Sequence, residues 1–73
     1  MAHRMLARDV FHIIPTRANG WEIRHEHKAH PHAEFATKSD AIERARRMAE
    51  ACDGEMVVHR RDFSEEQRVK FGE

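Results

Sequence analysis

The chain has 73 residues, and thirteen Lys plus Arg balance thirteen Asp plus Glu, for a formal charge of zero. That length fits one domain, which buries only about 60% of its extended-chain surface on folding. Balanced charge argues against a dedicated polyanion binder while leaving room for a local patch, and no stretch nears the ~20 apolar residues needed to span a membrane.

A core of this size supplies roughly 3–5 kcal/mol. Cys52 is the only cysteine, so no disulfide within one chain can add to it. Association with a second copy is therefore the expected source of further stability. The lone thiol fits a reducing compartment. Residues 1–9 carry Arg4 and Arg8 but no apolar run of the signal-peptide kind. Cytoplasm is the expected location.

Residues 1–8 read as a flexible leader, followed by a single domain over 9–73. Val10-Phe11-His12-Ile13-Ile14 is short, apolar and β-branched, the composition of a strand. Val10 and Ile14 share one face of it, Phe11 and Ile13 the other. Apolar residues on both faces suggest a strand covered on both sides. Pro15 lacks an N–H and marks the strand end. Asn19-Gly20 is a strong hairpin signal, because both residues tolerate positive φ. The run from Trp21 to His27 then alternates with period two. A loop of two or four residues puts Trp21 and Ile23 on the Ile14 face. A loop of three puts them with Phe11 and Ile13, and the sequence leaves this register open. Pro31 marks a turn, and Ala33 to Ala36 reads as a short third strand.

Thr37 to Cys52 reads as a capped amphipathic helix. Thr37 is the N-cap, with Asp40 three residues on as its reciprocal partner. Ala41, Ile42, Ala45, Met48, Ala49 and Cys52 recur at helical spacing and form the apolar stripe. Glu43, Arg44, Arg46, Arg47 and Glu50 form the wet face. Asp53-Gly54 is expected to end the helix through a left-handed cap. Glu55 to His59 is a fourth strand, and the polar tail from Asp62, in which Val69 and Phe71 alternate, offers a marginal fifth. The fold expected is α+β: a small antiparallel sheet of three to five strands packed against one α-helix, in the order strand, strand, (strand), helix, strand, (strand).

The ordered set His12-Ile13-Ile14-Pro15, Gly20-Trp21, Thr37-Lys38 with Ala41-Ile42 and Ala45-Arg46, then Val57-Val58-His59 with Asp62 resembles a small bacterial family, domain of unknown function twenty-one eighty-eight. The resemblance spans roughly residues 10–72. Members typically carry Gly after the Asp, where this chain has Phe63, and the His25–His32 cluster is not part of the pattern. The resemblance implies the fold and confers no activity.

Three constellations bear on chemistry. His25, His27, His30 and His32 are the candidate metal ligands. Side chains two apart on a strand point the same way, about 6.6 Å apart, and two imidazoles can converge on Zn²⁺ at ~2.0–2.1 Å each. A His-rich wet turn is the competing reading. His59 with Asp62 has the form of an acid–base pair, yet no nucleophile accompanies it, and a locally bonded strand-end histidine is the simpler reading. His12, within an apolar run, reads as structural. Arg44, Arg47, Arg60 and Arg61 are the candidate phosphate contacts, since neutralising phosphates needs clustered cations. Interleaved carboxylates favour a solvated, ion-paired surface instead. No Gly-rich phosphate loop is present.

The function expected is thus that of a non-enzymatic binding or interaction module, self-associating as a homodimer through its sheet, with no catalytic residues and no cofactor. The alternative is a nucleic-acid-binding accessory protein that uses the four arginines.

Overall fold

The computed structural model describes residues 9–28 and 31–72. The leader expected at 1–8 and the candidate ligand His30 lie outside the described residues. Five strands and one helix follow in the order β1 (Val10–Pro15), β2 (Trp21–His25), β3 (Ala33–Phe35), α1 (Lys38–Ala51), β4 (Glu55–His59) and β5 (Glu65–Lys70). They form one sheet in the order β3-β2-β1-β4-β5. The α+β architecture expected from the sequence is the one found, with one refinement. Hairpin neighbours are antiparallel, but the central β1–β4 pair is parallel. No hairpin joins those two strands: the chain returns to β1 through β2, β3 and the helix, a connection long enough to restore the original direction.

The helix forms as its caps dictate. Thr37 Oγ1 accepts from the Asp40 N–H at 3.2 Å, which satisfies one of the first-turn donors. At the other end Asp53 takes the left-handed conformation at φ 55°. Gly54 N–H then bonds the Ala49 carbonyl at 2.8 Å, and Asp53 N–H bonds that of Glu50 at 3.4 Å, a Schellman closure. Gly54 is needed for space: a Cβ there would sit 2.5 Å from the Asp9 carbonyl oxygen.

Ala41, Ala45 and Ala49 are fully buried. Their small side chains let the helix lie close on Phe11, Ile13, Trp21, Ile23, Met56 and Val58, with Ile42 and Met48 at the rim. Cys52 departs from the expected stripe and is exposed. The helix ends at Ala51, so the backbone at Cys52 leaves helical rotation (φ −122°, ψ 14°) and turns the side chain off the buried face.

Both antiparallel hairpins flanking the central pair use one turn. Thr16 N–H bonds Gly20 O at 3.0 Å and Asn19 N–H bonds Thr16 O at 3.2 Å. Arg60 N–H likewise bonds Ser64 O, and Phe63 N–H bonds Arg60 O, each at 2.8 Å. In each turn the last loop residue has positive φ: Asn19 at 67°, Phe63 at 72°. This is the three-residue loop closed by a left-handed residue. It selects the register left open above and pairs Ile13 with Ile23 and Pro15 with Trp21. No helix among the described residues is long and apolar enough to cross a membrane.

Candidate functional site

The helix covers one face of the sheet, and period-two alternation sends the other residues to the opposite, open face. In β1 these are Val10, His12 and Ile14, all half-buried. Register places Glu22 and Arg24 of β2, and Val57 of β4, beside them. Glu34 lies opposite Glu22, and Arg68 and Lys70 lie opposite Val57 and Glu55. The open face is therefore largely polar, which revises the expectation of an apolar second face. Val57 is nevertheless fully buried and Glu55 only 9% exposed, since long charged side chains lie over the sheet by their apolar stems.

Glu22, Arg24, Glu55 and Arg68 are held in ion pairs. Arg24 reaches Glu22 through Nε at 2.9 Å and a terminal nitrogen at 2.7 Å. Arg68 bridges Glu55 at 2.8 Å and Glu65 at 3.0 Å. That bridge pulls the Glu65 carboxyl below its usual range and pushes the Arg68 guanidinium further up.

A line of side chains crosses the face from the residue after β2, through the middle of β1, to the last residue of β4. Glu26 Oε1 lies 2.7 Å from His12 Nε2. His12 Nδ1 lies 3.0 Å from His59 Nε2. His59 Nδ1 lies 2.9 Å from the Phe63 carbonyl oxygen. The hydrogen bond from His12 holds the Glu26 carboxyl below its ordinary 4.5. Asp62 is not the partner expected for His59. Its carboxylate accepts from the backbone N–H and hydroxyl of Ser64, closing the β4–β5 turn, and those bonds depress it. Sequence reasoning named His12 and His59 separately and missed their meeting. The available signal was that each occupies a strand position facing away from the helix, but only the parallel β1–β4 register joins them.

The three candidate metal ligands among the described residues, His25, His27 and His32, do not converge on one metal site. His25 stacks on Phe11 with ring centroids 4.8 Å apart and meets Asp9 Oδ1 at 2.8 Å through Nε2. His27 is exposed in a turn at φ 74°, and His32 is exposed. Among the described residues no three His, Cys, Asp or Glu side chains could hold a metal ion together. His25 and His32 do line a cavity of about 650 Å³ with Asp9, Phe11, Lys28, Pro31 and Met48.

The four arginines separate into two pairs. Arg44 and Arg47 lie along the helix beside Asp40 and Glu43, with Arg44 over the Phe35 ring at 5.9 Å and Arg47 bonded to Glu43 at 3.2 Å. Arg60 and Arg61 occupy the β4–β5 turn. Arg60 donates to Ser64 Oγ and to the Glu65 carbonyl. Arg61 lies 4.5 Å over the Trp21 ring and donates to the Asn19 carbonyl at 3.0 Å. Trp21 is 6% exposed, and Lys38 lies 5.2 Å from its ring centre. The indole is therefore core rather than a stacking platform. Phe63, beside this pair, is 62% exposed.

No curated protein and no solved structure matches the chain. Residues 11–69 match the family described as uncharacterized protein conserved in bacteria (DUF2188). That span takes in every strand and the helix, from the second residue of β1 to the next-to-last of β5, and the chain belongs to that bacterial family of uncharacterised function.

Proposed function

We propose that this domain is a non-enzymatic interaction module that assembles as a homodimer through the open face of its sheet. The carrying observation is the layout of that face. Half-buried Val10 and Ile14 lie at its centre. The charges that flank them, Glu22 with Arg24 and Arg68 with Glu55 and Glu65, are already paired within the chain. A two-fold axis along β1 lays Val10 and Ile14 of one copy on the same residues of the other, as an isologous interface requires. Two groups suited to nucleophilic chemistry are already engaged, which supports the non-enzymatic reading. The Cys52 thiol donates to the Met48 carbonyl and is pushed up by desolvation and by Asp9. Ser64 is bound to Asp62. Light scattering at micromolar concentration is expected to give twice the chain mass. Ile14→Asp should abolish association, and Ile14→Val should retain it. A monomer at high micromolar concentration refutes the reading.

One observation favours a second reading, nucleic-acid binding. Arg60 and Arg61 donate to carbonyls and a hydroxyl, with Asp62 and Glu66 within electrostatic reach of Arg60, and stand beside the exposed Phe63. Binding of a single-stranded oligonucleotide that falls steeply with salt, and is lost in Arg60→Glu/Arg61→Glu, would establish it.

A further inference from the structure

We propose that His12 and His59 form a proton-binding site: an imidazole–imidazolium couple that holds one proton shared between His12 Nδ1 and His59 Nε2. The argument is a count of donors along the line from Glu26 to Phe63. The Phe63 carbonyl can only accept, so His59 Nδ1 carries a hydrogen. If His59 is neutral, its Nε2 offers a lone pair and His12 Nδ1 must donate to it. A neutral His12 would then turn a second lone pair on the ionised Glu26 carboxylate at 2.7 Å. The line is complete only when one further proton is present. With that proton, His12 Nε2 donates to Glu26, and either ring can carry the charge, because moving one hydrogen across the 3.0 Å gap exchanges their roles.

A second proton would place two N–H donors head to head across that gap, so the couple resists it as well. Val10, Ile14 and Val57 flank the two rings on the sheet, and charged or titratable groups face them from each neighbouring strand. Glu26 and His27 face them from the end of β2, where His27 lies 3.6 Å from the far oxygen of Glu26. Arg24 stands opposite His12 in register, and Glu65 stands opposite His59. Arg68 lies beside Val57, the β4 partner of His12. The two guanidiniums are matched by Glu22, Glu55 and Glu65, which leaves Glu26 as the counter-ion in direct contact.

The site gives stability a two-sided dependence on pH. The folded couple holds one proton. In the unfolded chain the same two histidines, each with an ordinary value of about 6.5, hold two in acid and none in base. Stability rises with pH where the unfolded chain binds more protons and falls where it binds fewer. The contribution of the couple is therefore lost on both sides: in acid, where the unfolded chain binds the second proton, and in base, where folding must take up a proton that the unfolded chain lacks. The proposal does not depend on whether two copies meet on this face.

The test is the denaturation midpoint of the full chain against pH, for wild type, Glu26→Gln and His59→Gln. Glutamine can donate to His12 Nε2, so Glu26→Gln completes the line with two neutral rings and should abolish the alkaline decline. His59→Gln should keep that decline, through the His12–Glu26 pair, and lose the acid limb contributed by the second ring. Ring ¹⁵N spectra of the wild-type protein near pH ~7.5 need no variant. They should show one proton beyond two neutral imidazoles. Two neutral rings there, or parallel alkaline profiles for wild type and Glu26→Gln, overturn the proposal.

Discussion

Replacing Ala45 with aspartate tests the helix-to-sheet packing most directly. Ala45 is fully buried among the residues that join α1 to the sheet. A carboxylate there would lose its hydration and gain no partner, since the cluster around it is apolar. Burying an unpaired charge costs at least ~3 kcal/mol, and a core of this size supplies only about 3–5 kcal/mol. Ala45→Asp should therefore remove most or all of the stability. One position along, Arg46 is exposed on the wet face, and Arg46→Ala should change stability by less than ~0.5 kcal/mol. Trp21, the only tryptophan and 6% exposed, reports unfolding by fluorescence. With a urea dependence of about 1 kcal/mol per molar for a small domain, Ala45→Asp should lower the midpoint by about 3 M or abolish the transition, while Arg46→Ala leaves it within ~0.5 M. Equal shifts for the two changes would refute the assignment of the buried face.

Gly54→Ala should cost ~1–3 kcal/mol through overpacking, because the atom 2.5 Å from the new Cβ is the Asp9 backbone oxygen. Hydrogen exchange at the Glu55 amide, which bonds that same oxygen at 2.7 Å, should quicken, and an unchanged midpoint with unchanged exchange would contradict the geometry. The acid limb has a worked sign. Glu26, Asp62, Glu65 and Glu66 all have folded values lowered by their hydrogen-bond partners, from ordinary values of 4.5 and 3.8. Their contribution is present above those values and is lost as pH falls through the lowered ones. Thermal melts should show this decline below pH ~4.5, reduced by salt because these groups are partly or fully exposed. Cys52 should alkylate fully but more slowly than cysteine in the unfolded chain, since its thiol is pushed up by desolvation and by Asp9. Equal rates by mass spectrometry would contradict that environment.

Local chemistry determined much of this protein. Thr37 and Asp40 fixed the start of the helix, Asp53 and Gly54 its end, and the alanine spacing its buried face, because capping and periodicity act within one or two turns of chain. The strands were legible for the same reason, including the polar fifth one that Val69 anchors beside Met56. Tertiary structure alone decided what depends on contacts distant in sequence. The choice of the three-residue turn at Asn19, and with it the face of Trp21 and Ile23, followed from burying both against the helix. The parallel pairing of β1 with β4 required the chain to close over the intervening strands. The meeting of His12 with His59, 47 residues apart, followed from that pairing. Local patterning can place each imidazole on a strand, but only the packed sheet sets them 3.0 Å apart, with Glu26 at one end of the line and the Phe63 carbonyl at the other.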